Sequence, residues 1–184
     1  MAIGEAILTA EEYGRMPDDG RFTELVRGRI VELTRPTFAH GLLCNQVSFL
    51  LSGFVRARDL GRITTNDSGI VTRRGPDTVR GADVAFYSYA RLPKETRPVL
   101  YPAVAPDLVF EVRSPSDRWK EIHVKVGEYI GAGVLVVCVL DPEPMQAHLF
   151  YPDQPNRVLK ADDELTLPEC LGPDFRIVVR QFFE

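Results

Sequence analysis

The sequence is poor in the groups that usually announce a function. Its three cysteines, Cys44, Cys138 and Cys170, are odd in number, far apart and without CxxC spacing, which suits a reducing cytosol and no structural zinc. Its three histidines, His40, His123 and His148, have no ligand spacing to one another. GxSxG, the P-loop, a Rossmann glycine fingerprint after a strand and HExxH are all missing, which excludes the common nucleophile and cofactor motifs. Positive charge is not in excess either. With a net charge of −4 and a pI near 5.5, any nucleic-acid contact falls to local clusters. The candidates are Arg56, Arg58 and Arg62, then Arg73, Arg74 and Arg80, then Arg113, Arg118 and Lys120. No apolar run approaches the roughly 18 residues of a membrane span, and MAIGEAILTAEEY lacks a basic region followed by an apolar one. The expectation is a soluble cytoplasmic protein with no membrane partner.

What is present suffices for one folded domain. A chain of 184 residues, 45% apolar, is long enough for a full core and short for two, so residues 1–184 are expected to form a single domain. A charged fraction of 26% and a mean hydropathy of −0.09, with no repeat or low-complexity run, argue against disorder.

One stretch organises the chain. In APDLVFEVRSPSDRWKEIHVKVGEYIGAGVLVVCVL, from Ala105 to Leu140, the first segment alternates. Asp107, Val109, Glu111 and Arg113 fall on one side, Leu108, Phe110 and Val112 on the other, as in a strand with one apolar face. Ser114-Pro115 breaks it, and Ser116 is placed to cap a helix opening at Asp117 and ending at Gly131 or Gly133. Trp119, Ile122, Val126, Tyr129 and Ile130 share one stripe, with Lys125 at its margin beside Tyr129. The Val-rich run before Asp141-Pro142 suits a strand covered on both faces. The unit reads as β-α-β.

Around it, Thr9-Ala10-Glu11-Glu12 has the capping-box pattern of a short helix. FTELV and RIVEL flank Arg27-Gly28 as a hairpin. From His40 to about Arg58, apolar residues at helical spacing predict a long amphipathic helix. Arg62–Asn66 and Gly69–Thr72 read as two strands around Asn66-Asp67-Ser68, ADVAFYS as a third strand, and Pro93–Pro106 as a long loop. Gln146–Tyr151, 158–160 and 165–167 read as further strands, and Phe175–Phe183 closes the domain.

The residues able to carry chemistry are carboxylates on strands with a lysine nearby. Asp83 and Glu111 converge if their strands are neighbours, and two close carboxylates need a proton or a cation between them. A hard divalent ion meets that need, and beside it the Lys125 ammonium can orient a water or neutralise developing charge. Glu24 shares a strand face with Phe22 and Val26, an unusual place for a carboxylate if that face is buried. Plain structural roles stand beside these: a strand-end turn for Asp83, an ion pair with Arg113 for Glu111, an i,i+4 pair with Glu121 for Lys125, and an exposed edge position for Glu24.

The succession TAEEY, PDDG, FTELVRGRIVEL, His40 opening the long helix, GADVAF, APDLVFEVRSPSD, Lys125xxxTyr129, GAGV and VLDP resembles a restriction-endonuclease-like family once catalogued as a domain of unknown function. That family lies within the PD-(D/E)xK nuclease superfamily. The resemblance spans nearly the whole chain. It implies an α/β (α+β) fold, a restriction-endonuclease-like mixed β-sheet core flanked by helices, with a Mg2+ (or Mn2+) site and DNA hydrolysis. Residue by residue, it implies Asp83 and Glu111 as metal ligands, Lys125 as the motif lysine moved onto the helix, and Glu24 as a further acidic catalytic position. Arg113 stands where the superfamily's lysine usually lies; it can hold phosphate or charge but cannot act as a base. His40 is a further candidate for the substrate side, as a proton-transfer group. The expected partner is DNA, with a homodimer supplying the two cuts of a duplex. The rival expectation is a catalytically inactive module that keeps the fold to bind nucleic acid or protein.

Overall fold

The computed structural model describes residues 7–184, so the first six residues of the N-terminal segment read for a leader lie outside it. Helix α1 (Ala10–Gly14) is capped by Thr9 through the reciprocal Thr9–Glu12 bonds that the capping box requires. Strands β1 (Thr23–Val26) and β2 (Arg29–Glu32) form the hairpin. Its two-residue turn places Arg27 and Gly28 at positive φ, 52° and 77°, the twist that a tight hairpin needs. Helix α2 (Phe38–Ala57) follows, capped by Thr37, whose hydroxyl accepts from the amide of His40. Strand β3 (Gly61–Arg73) returns antiparallel to β4 (Thr78–Ser88).

The central unit is β5 (Leu108–Val112), α3 (Trp119–Gly131) and β6 (Val136–Asp141), with β5 and β6 parallel. Helix α3 opens two residues later than Ser116 predicted. Asp117 instead accepts from the amide of Ser114 at 2.8 Å and closes a turn there, which leaves Arg118 at the N-cap without a side-chain bond. Strands β7 (Gln146–Phe150) and β8 (Arg157–Leu159) complete the large sheet. A small sheet of β9 (Glu164–Thr166) and β10 (Arg176–Val178), with α4 (Pro168–Leu171) and a closing 3-10 turn at Val179–Phe182, covers part of one face.

The large sheet is mixed and runs β2-β1-β4-β5-β6-β7-β8, with β3 on the other edge of β4. One face is covered by α2 and the C-terminal unit through Val47, Leu51, Val55, Phe110, Leu165 and Phe182. The other is covered by α3 through Ile122, Val126 and Tyr129 against Ala85, Val109 and Val137. Each fully buried Phe or Leu contributes about 1.5–3 kcal/mol relative to exposure, so the two layers fix the sheet on both faces. Strand β6 is buried at all six positions, as its unbroken apolar run predicted.

Helix α2 bears on the expectation that no segment spans a membrane. It is long and apolar enough to cross a bilayer by length and composition, because Asn45, Gln46, Ser48 and Ser52 interrupt the apolar run without adding charge. Here it lies along the sheet, with Val47, Leu51 and Val55 buried and Phe38, Leu42 and Phe49 exposed.

A second correction concerns β3. Asn66-Asp67-Ser68 is not a turn between two strands but a bulge within one strand of 13 residues. Thr65 pairs with Val84 and Ser68 with Ala82, so Asn66 and Asp67 both stand opposite Asp83. Both take positive φ, 62° and 53°, which Asn and Asp tolerate better than most residues. The sequence signal of a turn and of such a bulge is the same pair of residues.

Candidate active site

The site forms where the sheet forks. Strand β3 pairs along the whole of one edge of β4, but the other edge is divided: β1 meets it at Val79, and β5 meets it only from Val84 to Phe86. Between those points the backbone has lost its ladder partners, and buried amides and carbonyls must be satisfied in some other way. Side chains do it. Glu24 accepts from the Gly81 amide at 3.1 Å, and the Tyr129 hydroxyl lies 3.1 Å from the Gly81 carbonyl. Asp83 accepts from the Val112 amide at 2.6 Å, and Nε2 of His40 lies 3.1 Å from the Val112 carbonyl. The fork therefore gathers two carboxylates, a phenol and an imidazole for structural reasons.

Charge accumulates on that frame. Lys125 reaches from α3 to Glu24 at 3.1 Å and Glu111 at 3.7 Å. Tyr129, one turn further along, donates to Glu111 at 2.7 Å. Arg80 bonds Glu24 at 2.7 Å and Glu128 at 2.5 Å. Glu24 is only 2% exposed, so it is neither an edge-strand residue nor a solvent carboxylate. Buried charges persist only when paired and hydrogen-bonded, and Arg80, Lys125 and the Gly81 amide together meet that need.

His40 enters from α2. Its Nε2 lies 3.4 Å from Asp83 as well as near the Val112 carbonyl, so both neighbours are acceptors and Nε2 carries a proton. Its Nδ1 lies 3.4 Å from the Cys44 thiol one helical turn on. The bonds to Asp83 and then Cys44 raise its pKa from 6.5 to about 11. Beside Asp83 a cavity of about 270 Å3 opens, lined among others by His40, Cys44, Asn66 and Asp67. Gly81 is what lets the bulge close over β4, because a Cβ there would sit 2.8 Å from the Asp67 Cβ.

Burial and like charge shape the electrostatics of the fork. Burial pushes Glu111 from 4.5 up to about 8, with Asp83 adding to the rise and Lys125 and Tyr129 opposing it. Burial, then Asp83, likewise raises Asp67. Burial works against the Lys125 charge, yet Glu111 and Glu24 outweigh it and hold its pKa above the usual lysine value. Glu24, Asp67, Asp83, Glu111 and Glu128 face Arg80, Lys125 and His40. Carboxylates outnumber cations, and a carboxyl held near neutrality in such a group is relieved by a divalent ion. The all-oxygen set of Asp83 and Glu111 fits a hard cation of the magnesium kind.

The structure thus brings together five of the six candidate residues: Asp83, Glu111, Lys125, Glu24 and His40. Lys125 pairs across to Glu24 and Glu111, as a helix-borne lysine at the margin of the apolar stripe is placed to do. Arg113 goes elsewhere. Its Nη1 lies 3.1 Å from both oxygens of Asp141, and its guanidinium stacks 5.5 Å from the Trp119 ring. It ties β5 to the end of β6 and is not aimed at the carboxylates. Other arginines of the suggested clusters are also engaged: Arg74 with Glu11 and Asp77, Arg80 inside the site, and Arg62 with the carbonyls of Lys94 and Thr96.

Five participants are not singled out for chemistry by the sequence: Tyr129, Arg80, Asp67, Cys44 and Glu128, the partner of Arg80. In the sequence Tyr129 is part of an apolar stripe and a motif, and Arg80 belongs to a local basic cluster that is a candidate for nucleic-acid contact. Asp67 had been hidden in an apparent turn. Cys44 stands four residues after His40, a spacing that places both on one helix face and was legible had cysteine been compared with histidine.

A mixed sheet with helices on both faces and carboxylates at a strand fork defines a nuclease-like fold. A solved structure from Anabaena variabilis ATCC 29413, described as "a putative nuclease" of a domain family of unknown function, shares it with a TM-score of 0.81. The two are 16% identical, over 96% of this chain and 97% of that one. No curated protein matches the sequence. The family model described as "Putative restriction endonuclease", Uma2, matches residues 10–180, and the chain belongs to that family.

Proposed function

We propose that the protein is a divalent-metal-dependent endodeoxyribonuclease, with Asp83 and Glu111 holding Mg2+ or Mn2+. The observation that carries this reading is the Lys125 ammonium set between Glu24 and Glu111 at the sheet fork beside Asp83. When bound, the cation supplies Lewis-acid polarisation of a phosphoryl oxygen and offsets the charge that develops on it.

The protein's own groups do the rest. Lys125 is held protonated, so it serves as an oriented positive charge that positions the attacking water and stabilises the phosphorane-like charge, not as a base. Tyr129 fixes the Glu111 carboxylate, and Arg80 fixes Glu24, so that each presents a defined oxygen. His40, whose Nε2 lies 3.4 Å from Asp83, pairs with that carboxylate and can move a proton there. DNA is the proposed substrate, and a second copy of the chain would supply the second cut in a duplex.

Plasmid nicking tests the reading. Wild type with Mg2+ or Mn2+ is expected to relax supercoiled DNA, and Glu111→Gln to lose at least ~10²-fold of the rate, together with its calorimetric heat of metal binding. A folded wild type that binds neither metal, with or without DNA, overturns the enzyme and leaves a binding module on the same fold.

A further inference from the structure

Outside the all-oxygen pair of Asp83 and Glu111, the cavity wall carries a second and chemically different donor set. His40 and Cys44 are one turn apart on α2, and their facing atoms, Nδ1 and Sγ, lie 3.4 Å apart. Two ligands at about 2.3 Å (sulfur) and 2.0–2.1 Å (nitrogen) from a tetrahedral ion stand about 3.5 Å apart, so this pair is already spaced for one. The other ring nitrogen is fixed. Nε2 lies 3.1 Å from the Val112 carbonyl, as the outer nitrogen of a ligating histidine does when a backbone oxygen sets its tautomer. Donor atoms of His40, Cys44 and Asp83 all lie within 4.8 Å of one another. Asp67 lines the same cavity.

The cysteines differ in a way that matters. Cys138 is wholly buried in β6, and Cys170 donates to the Asp107 carbonyl, whereas Cys44 is partly exposed on the cavity wall. A thiolate and an imidazole are poor partners for Mg2+ and good ones for Zn2+ or Co2+. We propose that His40, Cys44 and Asp83 form a second cation site, selective for a thiophilic divalent ion such as Zn2+, beside the hard-cation site. Binding displaces the Cys44 thiol proton and the Nδ1 proton of His40 to solvent, and the ion takes the two freed lone pairs. Because Asp83 belongs to both sites, Zn2+ at the second withdraws a ligand from the first and inhibits Mg2+-dependent cleavage. That coupling rests on the nuclease reading; the binding itself does not.

The probe is Co2+, whose bond to a thiolate gives a near-ultraviolet charge-transfer band. One equivalent added to the reduced full-length protein, without Mg2+ or DNA, is expected to produce the band. Cys44→Ser should abolish it, Cys170→Ser should retain it, and His40→Ala should weaken Co2+ binding at least tenfold. No band in wild type, or a band that survives Cys44→Ser, overturns the site. In the second arm Zn2+ is titrated into the Mg2+-dependent nicking reaction. With each protein referred to its own Zn2+-free rate, Cys44→Ser is expected to tolerate at least tenfold more Zn2+; equal sensitivity of the two proteins overturns the coupling. If wild type does not nick DNA at all, the nuclease reading fails, while the Co2+ band still decides the metal site.

Discussion

Strand β4 is held in two different ways along its length. From Val84 to Tyr87 it is flanked by β3 on one edge and, over the first three residues, by β5 on the other, and its side chains are apolar and buried, Val84 and Phe86 toward α2, Ala85 and Tyr87 toward α3. From Thr78 to Asp83 it keeps β3 but lacks a continuous second partner, and side chains of Glu24, itself held by Arg80, and Tyr129 take the place of a strand. The first arrangement is stable because two ladders and two apolar layers are complete. The second is reactive because one ladder is missing. Polar groups recruited to satisfy an interrupted backbone are the same groups that can hold a cation and a water.

Removing a side chain from each half should therefore have different consequences. Phe86→Ala is expected to cost about 3–5 kcal/mol of stability by leaving a void in the core, read as a lower urea midpoint with no specific effect on metal affinity. Arg80→Ala should cost about 3 kcal/mol, toward the lower end for a broken buried pair because Lys125 remains 3.1 Å from Glu24. Adding Glu24→Gln to it should recover part of that loss in a double-mutant cycle, whereas recovery by Phe86→Ala would break the distinction between the halves. Tyr129→Phe removes one hydroxyl shared by Glu111 and Gly81 and should cost about 1 kcal/mol, with a measurable drop in Mg2+ affinity on calorimetry.

A pH slope is also expected, and its sign is specific. Glu111 has a folded pKa of about 8 against 4.5 for an ordinary glutamate, so between those values the folded state binds more protons than the unfolded one. That stability is present below pH 4.5 and is lost as pH rises toward 8. His40, raised from 6.5 to about 11, acts in the same direction over its own higher window. The metal-free protein should thus lose stability from pH 5 to pH 8 by chemical denaturation, Glu111→Gln should flatten the slope, and Mg2+ should restore stability most at the alkaline end. A slope that rises with pH would show that the carboxylates of the fork are fully compensated without a cation.

Much of this was legible in the chain. The alternation in LVFEV, the apolar run in VVCVLD and the stripe Ile122, Val126, Tyr129 dictated strand, strand and helix, because burial imposes a period of two on one and 3.6 on the other. The hairpin at Arg27-Gly28 and the cap at Thr9 were local signals read correctly. Asp83, Glu111, Glu24 and Lys125 could be picked out as charges on elements that otherwise bury apolar groups.

What no local pattern contains is which strand edge stays open. That depends on β1 and β5, far apart in the chain, meeting the same edge of β4 at different points. The same tertiary fact turned Asn66-Asp67 from a turn into a bulge opposite Asp83, sent Arg113 to Asp141, and made Arg80 an internal partner of Glu24. The sequence by itself determined the elements and the carboxylates, since helical and strand periodicity are short-range consequences of burial. Only the tertiary structure decided that those carboxylates share one charge-rich fork, because pairing between distant strands sets which backbone groups go unsatisfied and so which side chains must come to them.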